Sequence, residues 1–214
     1  MKSLIGILYL YGTIIATYRT VNKVLLVMST LSNTKTRIIE TSSQLFAKYT
    51  YAGVSMSQIA KALNITKAAL YYHYPSKLVI YKHVLDKIYQ DFCQHLQVIQ
   101  AEKTPVQKLR MLIERYLNFN LGKGGLIRMI ITQSSDNLPQ LSGYIVRFRK
   151  QMYDLVRSYA REIIGELGNC ISIPLLINMM DGLLLERSLS SKKFNAQKAA
   201  KQATMTLLNV STLK

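Results

Sequence analysis

SMSQIAKALNITKAALYYHYPSK, running from Ser55 to Lys77, decides the fold. Ser55 followed three residues later by Gln58 is the S-x-x-Q pattern of a capping box, so a helix starts there and buries Ile59, Ala60 and Leu63. Asn64 tolerates a left-handed backbone and supplies the turn. Thr66 then caps a second short helix carrying Ala68, Ala69 and Leu70, which Pro75 and Ser76 stop. Two short helices around a tight turn, the second slim on one side, predict a helix-turn-helix over residues 55–74.

The second helix of such a unit enters a DNA major groove, and its residue types suit that task. Ala68 and Ala69 keep one side narrow, and a methyl group there can touch a thymine methyl. Thr66 and Lys67 stand at the positive helix start, where phosphate is attracted. Tyr71, Tyr72 and His73 bring hydroxyl and imidazole donors, and Lys77 is placed for a backbone phosphate. The plainer alternative is a helical hairpin whose tyrosines pack in a core, and Tyr71 and Tyr74 suit packing roles in either case.

Outward from this stretch, helical spacing continues in both directions. Asn33 or Thr34 caps a first helix with Ile38, Ile39, Leu45 and Phe46 on its apolar side, ending near Thr50. A long fourth helix is expected from Lys77 to about Gln100, and Thr104-Pro105 opens a fifth that runs to about Leu121. Gly122, Gly124 and Gly125 break the chain before a short apolar helix from Leu126 to Gln133. Another long helix follows Pro139 to roughly Leu167, one starts at Ser172 and Pro174, and Asn195 caps a last one. No strand-like alternation stands out, so the expected class is all-α, with about nine helices.

The segment from Thr36 to Lys87 resembles the tetracycline-repressor (TetR) family of transcriptional regulators. The family's leucine-phenylalanine pair is Leu45-Phe46, its S-x-x-x-I-A helix is Ser55 with Ile59-Ala60, and its L-Y-x-H-aromatic-x-x-K ending is Leu70 to Lys77. The resemblance implies an N-terminal three-helix DNA-binding domain, residues 33–93, followed by a helical ligand-binding and dimerisation bundle, residues 94–214. It puts Ser57, Lys67, Ala68, Ala69, Tyr71, Tyr72 and His73 where family members touch bases or phosphates, and Lys77 where they touch phosphate. With Ser55 and Thr66 these form the expected DNA-binding set. Three positions depart from the pattern: Thr50 and Asn64 stand where glycine is usual, and Tyr74 where phenylalanine is.

The same resemblance implies a homodimer through helices at about 174–187 and 195–210, a double-stranded operator as partner, and a small-molecule effector. Pairing two heads on a palindrome sets half-site spacing near one turn, roughly 34–36 Å. Candidate effector contacts are Arg115, Tyr116, Phe119, Arg128, Met129 and Met152, which mix polar handles with apolar bulk. Their plainer assignment is core for the apolar groups and solvent for the arginines.

Composition fits without being decisive. The net charge is +17, a field that attracts nucleic acid and anionic membranes alike. The excess is spread out: residues 1–27 hold three basic groups and no acid, 28–90 eight against two, and 91–214 seventeen against nine. Cys93 and Cys170 lie far apart, which argues against a disulfide framework and for reduced thiols in a cytoplasm, each read as a small core residue. His73, His83 and His95 share no metal-ligand spacing, and no nucleophile elbow, phosphate-cradling loop or paired-carboxylate site is present. Neither catalysis, a metal nor a cofactor is expected.

Residues 1–27 form an atypical apolar extension. The run from Leu4 to Ala16 falls short of the roughly 20 apolar residues that span a bilayer. Our expectation is that translation starts at Met28 and that the extension is an upstream over-reading. The rivals are a membrane-tethered regulator anchored by that extension, and a helical small-molecule-binding protein without DNA binding.

Overall fold

The computed structural model describes residues 33–122, 139–189 and 194–211, and holds no strand among them. Helix α1 covers residues 33–49, α2 Met56–Leu63, α3 Lys67–His73 and α4 Lys77–Gln97, which runs on into a 3-10 turn, Val98–Ala101. Helix α5 is Pro105–Gly122, α6 Pro139–Glu166, α7 Ile173–Leu189 and α8 Ala196–Ser211. The described helices number eight against about nine expected. The short helix expected over 126–133 lies outside the described residues, as do the extension 1–27 and the start at Met28.

Five of the described helices begin where side chains satisfy the free backbone groups of a first turn. Ser55 Oγ accepts from the Gln58 amide at 3.2 Å while the Ser55 amide donates to Gln58 Oε1 at 2.7 Å, the reciprocal box expected of that pair. Thr104 and Gln107 repeat the device ahead of α5, at 3.2 Å in both directions. Thr66, Ser76 and Asn195 cap α3, α4 and α8 through their side-chain oxygens. Asn64 ends α2 at φ 55°, ψ 44°, the left-handed position expected of it.

Helix α4 serves two regions. About 31 Å long at 1.5 Å per residue, it buries Ile80 and Tyr81 at its start and Phe92 and Leu96 towards its end. At the start, Tyr81 meets Phe46 of α1 edge-on at 5.0 Å and Tyr51 of the α1–α2 loop at the same distance. Further along, Phe92 packs at 4.8 Å from Phe119 of α5. Helix α5 is the centre of the remaining helices, touching α4, α6, α7 and α8. Its Leu109, Leu112, Ile113 and Leu117 have no exposed surface.

Polar ties fix α6 along this stack. The Tyr144 hydroxyl donates to Asp86 of α4, the Lys108 ammonium lies 2.7 Å from Glu166, and the Gln100 amide lies 3.3 Å from Glu162. Cys93 is half-buried, as a small core residue should be, but Cys170 is exposed in the loop after α6. That loop turns through left-handed Gly168 and Asn169, which carries Cys170 away from the core.

Candidate nucleic-acid interface

Helix α3 is one-sided. Leu70 is fully buried against the neighbouring helices, and Ala69 and His73 are half-buried. Lys67, Ala68, Tyr71 and Tyr72 face outward, positions i, i+1, i+4 and i+5 that share one side of a helix. Tyr72 is 78 % exposed, the most open large apolar side chain described, and Tyr71 is 45 % exposed. Leaving two phenol rings in water forfeits hydrophobic stabilisation that a core position would give, so this face is built for something other than the chain's own core.

The surroundings supply charge of one sign. Between residues 33 and 77 the chain carries Lys35, Arg37, Lys48, Lys61, Lys67 and Lys77 against the single acid Glu40. Lys67 stands with its ammonium 5.9 Å from the Tyr71 ring centre, a cation–π distance that keeps the charge at the outer face. Tyr72 meets His73 edge-on at 5.3 Å. Ser55 and Thr66 are committed to capping through their oxygen lone pairs, which leaves each hydroxyl proton free to donate. Ser57 is exposed on α2 beside this face.

Lys77 behaves differently from the other site residues. Its ammonium donates to the Tyr51 carbonyl at 2.8 Å and to the Val54 carbonyl at 2.7 Å, and it sits 4.2 Å from the centre of the Tyr51 ring. Burial lowers its pKa from the ordinary 10.5. Two of its three protons therefore hold the α1–α2 loop, and one remains for an outside acceptor. Sequence alone suggested only the outside role, because a clamp across 23 and 26 residues leaves no local signature.

The candidate effector residues divide. Tyr116 and Phe119 are buried on α5, Arg115 and Met152 are half-buried, and Arg128 and Met129 lie outside the described residues. Tyr116 takes part in a polar cluster that sequence reading did not find. Its hydroxyl donates to Asp181 Oδ1 of α7 at 2.5 Å, and Tyr153 of α6 donates to Oδ2 at 2.9 Å. Burial and the adjacent carboxylate push the Tyr153 hydroxyl up to about 12, and Tyr116 still further, so both remain protonated donors. Residues 116, 153 and 181 show no shared spacing, so only folding reveals the cluster. Among the described residues no group of His, Cys, Asp and Glu is placed to hold a metal ion. Nor is any described helix long and apolar enough to cross a membrane.

Known proteins place this arrangement. Residues 38–84 match the family described as bacterial regulatory proteins, tetR family. The negative transcriptional regulator of the biofilm operon in Staphylococcus aureus, IcaR, is 31% identical over 131 residues, covering 60% of this chain and 67% of that protein. The chain spans about two thirds of the length of the curated relatives it matches. Among solved structures, a fatty acid metabolism regulator of Clostridium perfringens superposes with a TM-score of 0.64 at 23% identity, over 81% of this chain and 97% of that one. The regulator FadR from Bacillus subtilis, solved with stearoyl-CoA, gives 0.62 at 19% identity, over 80% and 96%. At those identities the structural likeness establishes the fold, while the motif match and the IcaR similarity establish kinship: the chain belongs to the tetR family of bacterial regulatory proteins.

Proposed function

We propose that the chain is a dimeric, ligand-responsive transcriptional repressor that occupies a palindromic operator and releases it when an effector binds. The observation that carries this reading is the outward face of α3, where Lys67, Ala68, Tyr71 and Tyr72 stand exposed beside basic neighbours. Lys67 contacts phosphate, and the tyrosines and Ala68 read the groove. Residues 33–93 act as the DNA-binding domain and 94–214 as the ligand-binding and dimerisation domain.

Dimerisation is supported by apolar groups left in water on α7 and α8. Leu175 is 53 % exposed, Leu185 61 % and Met205 54 %, and α7 has no polar side to explain them. Pairing α7 and α8 with their copies covers these groups and sets two heads about one DNA turn apart, roughly 34 Å. The effector enters the bundle around α5 and acts by favouring a conformation whose heads no longer match the operator, which requires a differential affinity for the two states. A DNA-binding protein with reduced thiols works in the cytoplasm.

The test is a band-shift assay with the DNA upstream of the chain's own gene. Retarded DNA supports the proposal, and Tyr72→Ala should weaken retardation by about ten-fold or more while leaving thermal stability unchanged, given its exposure. Loss of helicity in that variant, or full binding without Tyr72, would overturn this placement of the reading face.

A further inference from the structure

Asp181 is an acid in an otherwise strongly basic chain, and among the described residues it is held by phenols and not by a cation. Each of its carboxylate oxygens accepts one phenol proton, from Tyr116 at 2.5 Å and Tyr153 at 2.9 Å. No lysine or arginine among the described residues forms an ion pair with it, although basic groups outnumber acidic ones 28 to 11. Arg149 and Arg157 act on Tyr153 from a distance, and neither reaches the carboxylate. Withdrawing a carboxylate from water without a counter-charge is costly. The two phenols offset part of that cost, and the carboxylate's remaining lone pairs stay open.

The setting is aromatic. The Tyr116 ring lies 6.5 Å from Phe92, which in turn lies 4.8 Å from Phe119. Ring faces and a carboxylate together favour positive charge on an apolar body. They oppose an anion, which would meet Asp181 at close range. Three helices contribute, since Tyr116 is on α5, Tyr153 on α6 and Asp181 on α7. A ligand seated here therefore contacts α5 and α6, the two helices of the bundle against which α4 packs.

We propose that Asp181, oriented by Tyr116 and Tyr153, is the anchor of the effector site, and that the effector is an apolar organic cation. This rests on the proposed ligand-responsive role and narrows the chemistry of its ligand. The two tyrosines are positioning residues that fix the carboxylate, and Asp181 makes the charged contact.

Two dyes with a common xanthene body and opposite charge test it: the cation tetramethylrhodamine methyl ester and the anion fluorescein. Anisotropy titrations use the full chain in about 0.3 M sodium chloride, which screens long-range charge. The chain's positive field favours fluorescein, so a preference for the cation must arise locally. We expect the cation to bind about ten-fold tighter or better, and Asp181→Asn to remove that preference by weakening the cation without weakening fluorescein. Tyr153→Phe should weaken the cation less, and it keeps the test open if Asp181→Asn does not fold. Equal or stronger fluorescein binding, cation binding indifferent to both substitutions, or no cation binding at all would each overturn the proposal. A band shift on the same preparation separates the two ideas. Retarded DNA with no cation preference removes only the anchor, whereas unretarded DNA removes the regulator reading.

Discussion

The Lys77 ammonium lies 2.7 Å from the Val54 carbonyl oxygen, and so joins the start of α4 to the loop that leads into α2. A second bond to the Tyr51 carbonyl at 2.8 Å and the Tyr51 ring beneath the charge complete the clamp. Lys77→Met keeps the apolar stem and removes the three donors. We expect a loss of about 1–3 kcal/mol, because two carbonyls lose charge-assisted partners. Urea unfolding measures it, and DNA affinity should fall with it because the loop sets the approach of α2. Unchanged stability with reduced DNA affinity would instead make Lys77 purely a phosphate contact.

At the end of α1, Thr50 carries φ 67°, the left-handed region that a β-branched residue enters only under strain. Its amide still closes the helix on the Phe46 carbonyl at 3.1 Å. Thr50→Gly should therefore stabilise the chain by about 1 kcal/mol, read as a rise in melting temperature of about 2–4 °C. Gly53 is the opposite case. A Cβ there would sit 2.1 Å from the Tyr49 carbonyl oxygen, so Gly53→Ala should destabilise the loop and lower the melting temperature. If both substitutions proved silent, the loop would not have the tight conformation described for it.

Much of this was legible in the sequence, for reasons that differ by residue. Capping residues such as Ser55 and Thr66 act within three positions of themselves, and that short range is what makes them readable. The exposed face of α3 was legible because Lys67, Ala68, Tyr71 and Tyr72 recur at helical spacing and because the motif is that of a known family. Asp181 was not, since its partners lie 65 and 28 residues away and nothing local marks an aspartate that will face two phenols. Thr50 shows the converse. The departure from glycine was visible, yet only the backbone angle shows that threonine accepts the strain and keeps the same turn.

The Tyr81 hydroxyl is buried and has no hydrogen-bond partner among the described residues. The ring is well placed, edge-on to Phe46 and Tyr51, so the oxygen is the costly part of the side chain. Tyr81→Phe removes an unsatisfied polar atom and keeps the ring. We expect it to be neutral or stabilising by up to about 1 kcal/mol, measured by urea unfolding. A clear loss of stability would show that the hydroxyl has a partner in solution.

Several tyrosines make the fold sensitive to alkali. Burial raises Tyr81 to about 12 from an ordinary 10.0, and burial with a neighbouring carboxylate raises Tyr144 and Tyr153 to about 12 as well. The folded chain thus holds these protons more tightly than the unfolded chain. Their stabilising contribution is complete below pH 10.0 and is lost as pH climbs from there through about 12. Lys77 acts in the other direction. Its lowered pKa makes the folded state shed that proton first, so its part of the stability rises as pH approaches 10.5. These three phenols, with Tyr116 raised further still, outweigh one ammonium above that point. Helicity followed by circular dichroism should therefore fall cooperatively above pH 10.5, with phenolate absorbance rising in step. Tyr81→Phe should make the fall shallower, because one of the protons that drives it is gone. A fold that stays intact while all fourteen tyrosines ionise at their ordinary value would refute the burial assigned to Tyr81, Tyr144 and Tyr153.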